Sequence, residues 1–130
     1  MAPILQLRSL RAFYGQSEVV HGIDVAVEDG GMTVLLGANG AGKTTTLRAL
    51  CGMVRRQGEI LFAGNELHRR STEEIASLGV GHVPEGRGTF VGLTVEENLR
   101  LGGYTKSRQA PETIERMYGY FPILAQRRRQ

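Results

Sequence analysis

The stretch that decides the fold is residues 37–45, which read Gly-Ala-Asn-Gly-Ala-Gly-Lys-Thr-Thr. This stretch, called the phosphate loop below, fits the pattern G-x-x-x-x-G-K-[ST], whose context is a preceding strand and a following helix. The apolar run 32–36 predicts a buried strand, and residues 43–51 predict a helix. The sequence therefore predicts a loop that binds the phosphates of a nucleotide.

Each residue type in the phosphate loop has a chemical reason to be there. Glycine lets backbone N–H groups approach a phosphate without a Cβ in the way, and the helix that follows adds the positive end of its dipole. Lys43 is expected to reach the β and γ phosphates, Thr44 to hold Mg²⁺, and Thr45 to reach the α phosphate. The predicted nucleotide contacts in the loop are Gly37, Asn39, Gly40, Ala41, Gly42, Lys43, Thr44 and Thr45.

Composition limits the classes of protein to which the chain can belong. Its 130 residues correspond to one domain at most, or to part of one. A single cysteine, Cys51, excludes an internal disulfide framework and fits a reducing cytosol, and no secretory signal is predicted. The net charge is only +3, and the arginines form no basic stripe with interleaved aromatics, so nucleic acid is not a predicted partner.

Hydrophobic patterning predicts the other strands. Period-two alternation at residues 5–8 and 23–28 predicts antiparallel strands with one solvated face. Shorter apolar runs predict strands at residues 59–63 and 80–83.

Capping signals predict the other helices. Ser71 with Glu74, and Thr94 with Glu97, are capping boxes that start helices ending near Leu78 and Leu101. A proline suits the first turn of a third helix. That proline and the apolar stripe that follows it, interpreted as core, are Pro111, Ile114, Met117, Tyr118 and Phe121.

With the phosphate loop and an upstream aromatic residue, Tyr14, the chain resembles the nucleotide-binding subunits of ATP-binding cassette (ABC) transporters. The resemblance implies that Tyr14 stacks on adenine. It also implies that Glu85 stands where the family has a glutamine that senses the γ phosphate and Mg²⁺. A carboxylate can hold a metal-bound water but cannot donate a hydrogen bond as an amide does. The implied catalytic residues are Lys43 and Glu85, and the implied metal ligands are Thr44 and Glu85.

Residues 84–90 and 93–99 resemble the ATPase subunits of branched-chain amino acid importers. Relatives that import urea or amides share much of this pattern, with glutamine more usual in the loop. The resemblance implies ATP and Mg²⁺ as cofactors and a peripheral location at the cytoplasmic face of the cell membrane. The implied partners are permease subunits, which meet the segment from Phe90 to Tyr104, and a second ATP-binding subunit.

The implied fold is α/β, a P-loop NTPase of the ABC type. Antiparallel N-terminal strands precede a partial parallel core and the start of a helical subdomain, and residues 1–130 are predicted to be the N-terminal part of one such domain. The family's signature, Walker B carboxylates and switch histidine are not found: Asp24 and Asp29 precede the loop, and no serine is followed by glycine. The chain alone is therefore expected to be poorly stable, and to bind ATP without hydrolysing it.

Three alternatives remain open from the sequence. The chain could be a non-catalytic P-loop module that binds nucleotide and never turns it over. It could belong to another P-loop enzyme, such as a small-molecule kinase, which needs acceptor-binding residues and a lid arginine. It could also be a nucleic-acid-binding fragment, which steeply salt-dependent DNA affinity would support.

Overall fold

The computed structural model describes residues 2–130, which form two compact units. The first unit ends at His82, and the second runs from Val83 to Gln130. The first is built on an antiparallel sheet, whereas the second is helical. None of the helices within residues 2–130 combines the length and the hydrophobicity that crossing a membrane requires.

Four antiparallel strands form the sheet of the first unit, in the order β2-β1-β3-β4. Their bounds are β1 Leu5–Tyr14, β2 Ser17–Val27, β3 Arg55–Phe62 and β4 Asn65–Glu66. The two predicted N-terminal strands are confirmed as an antiparallel hairpin. One face of the sheet packs into a core that includes Leu7, Leu10, Ala12, Val20, Ala49, Ile60, Leu67 and Ile75.

The third strand is longer than the sequence pattern predicts. It begins at Arg55, because its polar first half pairs through the backbone with the end of β1, where Phe13 is the partner of Arg55. The register between the strands shifts where Gly58 crosses β1. Gly58 has φ +96°, and a Cβ there would lie 2.5 Å from the carbonyl oxygen of Ser9. Only glycine allows this close approach.

Two helices complete the first unit: α1, Lys43–Leu50, and α2, Thr72–Ser77. The capping box of α2 is confirmed, since Ser71 N donates to Glu74 Oε2 (2.8 Å) and Glu74 N donates to Ser71 Oγ (3.2 Å). Ala49 of α1 and Ile75 of α2 are buried in the core. Both helices therefore cover the sheet as their amphipathic patterns require.

The second unit contains α3, Val95–Gly102, α4, Ala110–Tyr120, and α5, Pro122–Gln126, with a 3₁₀ turn at Tyr104–Lys106. The Thr94–Glu97 capping box is confirmed, and a proline lies in the first turn of α4. Of the predicted stripe, Ile114 is buried, whereas Phe121 lies beyond the end of α4 and is 57% exposed. Residues 127–129 follow α5 as an exposed turn.

The predicted strands at residues 32–36 and 80–83 are wrong for this structure. Neither segment forms a strand or joins the sheet within residues 2–130. Met32, Leu36 and Val83 are 90%, 89% and 93% exposed. An apolar run becomes a parallel strand only when neighbouring strands supply its backbone hydrogen bonds. Residues 2–130 supply no such strand here, although Val80 packs against the core of the first unit.

Candidate phosphate-binding site

The phosphate loop leads into α1 through Gly42, which occupies the N-cap position with φ +98°. No side chain caps α1, and its first turn contains no acidic residue. The first backbone N–H groups of a helix have no intrahelical acceptor, and they carry the positive end of the helix dipole. This end of α1 is therefore suited to an anion.

Gly42 also fixes the loop against the sheet. A Cβ at this position would lie 3.3 Å from both the carbonyl oxygen of Val19 and Cγ2 of Val20. The positive φ and the contact with β2 both favour glycine. The start of α1 is thus held against the same hairpin that carries Tyr14.

Lys43 lies back over the loop. Its Nζ donates to the carbonyl oxygen of Gly37 and lies 3.4 Å from that of Ala38. Ala41 N donates to the same Ala38 carbonyl (3.1 Å), which closes a turn in the loop. The ammonium group is therefore held within the exposed loop, where a phosphate would need it.

The three threonines at the start of α1 have different environments. Thr44 is exposed, whereas Thr45 and Thr46 are buried. Thr46 Oγ1 donates to the carbonyl oxygen of Gly42 (2.8 Å), a bond within the first turn. The exposed Thr44 hydroxyl fits the hard oxygen ligand that Mg²⁺ prefers when it is also bound by phosphates. Within residues 2–130, no group of three His, Cys, Asp or Glu side chains could hold a metal ion.

Tyr14 ends β1 and lies beside α1, so the structure brings it together with the phosphate loop. The residue is 42% exposed, and its hydroxyl accepts a hydrogen bond from Nη1 of Arg48 (3.1 Å). The side chain of Thr45 and the guanidinium of Arg48 lower the pKa of Tyr14. A half-exposed ring beside a phosphate site is suited to stacking on a base.

Two arginines of the site were missed by the sequence analysis. Arg48 lies on the exposed surface of α1, and Arg55 begins β3. Arg55 lies over the ring of Phe13, 4.3 Å from its centroid, and donates to the carbonyl oxygen of Gly15 (3.2 Å) in the hairpin turn. No local pattern identifies either arginine, because both contacts join residues distant in sequence.

Glu85 belongs to the second unit, where it is exposed in an irregular segment before α3. The phosphate loop belongs to the first unit, and the role of Glu85 at the γ phosphate stays a prediction. Its segment leads into Phe90, whose backbone N and O are both bound by the amide of Asn98 (2.8 and 3.0 Å).

The predicted partner-binding segment lines a groove of about 720 Å³ in the second unit. Phe90 and Val91 beside it are 62% and 98% exposed, and Tyr104 further along the segment is 80% exposed. The groove walls are mostly apolar and include Leu93, Val95, Leu99, Leu101 and Leu124. Its chemistry fits the apolar surface of a protein partner.

Comparison with known proteins agrees with this geometry. The family profile described as "ABC transporter" matches residues 20–129. The chain is 36% identical, over 98% of its length, to the high-affinity branched-chain amino acid transport ATP-binding protein BraG of Pseudomonas aeruginosa, of which it covers 55%. It is 37% identical, over 90% of its length, to the Nod factor export ATP-binding protein I of Cupriavidus metallidurans, of which it covers 38%.

A solved ATP-binding subunit of an ABC transporter matches 98% of the chain with a TM-score of 0.80 and 27% identity, and the match covers 53% of that subunit. The chain thus spans about half of the BraG protein and less of the Nod factor exporter.

Proposed function

The chain belongs to the ABC transporter family, and on that premise we propose that it binds MgATP through the phosphate loop and Tyr14. The observation that carries the proposal is the start of α1, which has no side-chain cap and no acidic residue and carries the Lys43 ammonium beside it. A triphosphate supplies the acceptors and the negative charge that such a helix end lacks.

In this proposal each predicted residue has one task. Lys43 neutralises the β and γ phosphates as a point charge, and Thr44 supplies a hydroxyl to the metal. Mg²⁺, when bound, neutralises charge between the phosphates. Tyr14 stacks on adenine, and Glu85 orients a water or the metal near the γ phosphate. The backbone N–H groups of Asn39, Gly40 and Gly42 hold the β phosphate within the loop, because that of Ala41 already donates to the carbonyl oxygen of Ala38.

We further propose that nucleotide binding energises import of branched-chain amino acids in the complete protein. The similarity to BraG over 98% of the chain supports this solute class. An importer of urea or amides is the alternative, and the similarity to a Nod factor exporter leaves the direction of transport open. The groove between Phe90 and Leu124 would receive a permease subunit at the cytoplasmic face of the membrane. A second ATP-binding subunit is the other proposed partner.

The two lysines of the chain, Lys43 and Lys106, allow a matched test. MgATP affinity is measured by calorimetry for the 130-residue chain, for Lys43→Ala and for Lys106→Ala. We expect Lys43→Ala to weaken binding at least about tenfold, because a charge-assisted contact of roughly 1.5–3 kcal/mol is lost. Lys106→Ala removes the same charge from the exposed 3₁₀ turn of the second unit and should leave affinity unchanged. Equal losses in the two variants, or no binding by the wild type, would contradict the proposal.

A separate expectation concerns turnover by residues 1–130 taken alone. Within the 130 residues no aspartate follows the phosphate loop. We expect this chain to release no phosphate from MgATP above the buffer rate. Turnover that disappears in Lys43→Ala would refute this expectation while supporting MgATP binding.

A further inference from the structure

The contact between Arg48 and Tyr14 joins the two halves of the nucleotide site. Tyr14 comes from the end of the β1–β2 hairpin, and Arg48 comes from α1, which begins at the phosphate loop. Their side chains meet in a hydrogen bond of 3.1 Å from Nη1 to the phenol oxygen. The contact therefore ties the proposed base platform directly to the helix that presents the phosphate-binding N–H groups.

The backbone below Tyr14 is held separately. Arg55 donates to the carbonyl oxygen of Gly15 and packs over Phe13, which is 9% exposed. These contacts fix the hairpin turn, but they leave the Tyr14 ring free to change its rotamer, because 42% of Tyr14 is exposed. The ring is restrained mainly at its hydroxyl, where Arg48 and the buried Thr45 lie beside it.

We propose that Arg48 is a positioning residue that holds the Tyr14 ring against α1, so that the base platform keeps a fixed distance from the phosphate loop. The proposal rests on the proposed function, since it assigns Tyr14 to the base of the bound nucleotide. Arg48 itself contacts no nucleotide. Its side chain acts through the tyrosine hydroxyl, and its loss removes one of the two restraints on the ring without disturbing the loop.

This role predicts a selective loss of affinity. A ligand that has a base loses a preorganised stacking surface, whereas a ligand that consists of phosphates alone keeps every contact it had. The test therefore compares MgATP with magnesium tripolyphosphate, which presents a similar phosphate chain without base or ribose. Arg48→Met removes the donor and keeps much of the volume of the side chain.

We expect Arg48→Met to weaken MgATP binding by roughly 3- to 10-fold, the value of one hydrogen bond, and to leave tripolyphosphate binding within about 1.5-fold of wild type. In the Tyr14→Phe background, which has no hydroxyl to hold, Arg48→Met should have no further effect. Arg48→Lys, which retains a donor, should restore part of the affinity. Arg8→Met is the control for removal of an arginine, because Arg8 pairs with Glu59 on the sheet (3.4 Å) away from α1.

A spectroscopic measurement separates a loss of Tyr14 positioning from a general loss of folded structure. In protein labelled at tyrosine Cζ, Tyr14 is assigned by its loss in Tyr14→Phe, and its carbon resonance is followed with pH. Because the guanidinium contributes to lowering the pKa of Tyr14, Arg48→Met should raise that pKa.

The outcomes separate the two proposals. Equal losses for MgATP and tripolyphosphate in Arg48→Met would overturn the positioning role, because they mean that Arg48 acts on the phosphates or on the fold. Unchanged affinity for both ligands would overturn it too. If the wild type binds neither ligand, or if Lys43→Ala binds both as well as the wild type does, the proposed function itself fails.

Discussion

The hairpin at residues 5–27 and the segment at residues 32–36 are consecutive and both rich in apolar side chains, yet they end in opposite environments. In the hairpin, Leu10 is fully buried, whereas Leu36 is 89% exposed. The hairpin strands are joined by a two-residue turn, so each finds its partner locally. A parallel strand depends on distant partners, and residues 2–130 provide none for 32–36. An apolar run therefore predicts burial only together with the partner that covers it.

The test with the largest expected effect replaces leucine with alanine in each of the two regions. Leu10→Ala should lower the free energy of unfolding by about 2–5 kcal/mol, because it removes buried methyl groups and leaves a cavity. Leu36→Ala should change it by less than about 0.5 kcal/mol, because the side chain is already in water. Urea unfolding followed by circular dichroism measures both values. A loss in Leu36→Ala as large as that in Leu10→Ala would mean that residues 32–36 are covered in solution.

A second test asks whether the sheet depends on the close backbone approach of β1 and β3 at Gly58. Gly58→Ala should destabilise the chain by roughly 1–3 kcal/mol, because the new Cβ meets Ser9 O and the backbone has a positive φ. Gly81 lies in segment 80–83, which joins no strand, and it has no positive φ and has open space around it. Gly81→Ala should be neutral, or stabilising by a few tenths of a kcal/mol, in the same urea experiment. If both alanines cost the same, β3 does not cross β1 as described.

The parts of the fold that the sequence predicted correctly are those decided by neighbouring residues. The hairpin, α1 and both capping boxes follow from alternation, from the phosphate loop and from Ser or Thr three residues before Glu. The beginning of β3 at Arg55 was missed, because its polar residues pair through backbone atoms with β1 and show no apolar alternation. Residues 32–36 and 80–83 were assigned as strands from hydrophobicity alone, which contains no information about partners.

The same distinction applies to the candidate site. The phosphate loop could be identified because its chemistry is contained in consecutive residues and in the helix that follows. The proximity of Tyr14 to the loop came from a resemblance, and the structure adds the hydrogen bond that accounts for it. Arg48 could not be identified, since on a helix surface it has the pattern of any solvated arginine. A contact between two elements becomes visible only when the sheet brings them together.

The smallest expected effect concerns the start of α2, where the carboxylate of Glu74 forms part of the capping box. Hydrogen bonds from the backbone and side chain of Ser71, with a contribution from the charge of Arg70, lower the pKa of Glu74 below its ordinary value. A carboxylate with a lowered pKa in the folded state stabilises that state fully above its unfolded pKa of about 4.3. This stabilisation is lost as the pH falls through the lower pKa of the folded state. Glu74→Gln should therefore lower the thermal midpoint slightly at pH 7 and have a smaller effect near pH 3, which lies below the unfolded pKa, so that part of this stabilisation is already lost.

Glu73→Gln is the matched control, because Glu73 lies in the same first turn of α2 but does not accept the capping bond from Ser71 N. Both variants lose one negative charge beside the helix dipole. The difference between them therefore reports the contacts specific to the Glu74 carboxylate, which are the charge-assisted capping bond and the charge of Arg70. We expect Glu74→Gln to lower the thermal midpoint more than Glu73→Gln does at pH 7, and we expect this difference to be smaller at pH 3. Equal midpoints for the two variants at pH 7 would mean that the dipole, and not the specific contacts of the Glu74 carboxylate, stabilises the start of α2. A local sequence signal would then have predicted the right helix for the wrong physical reason.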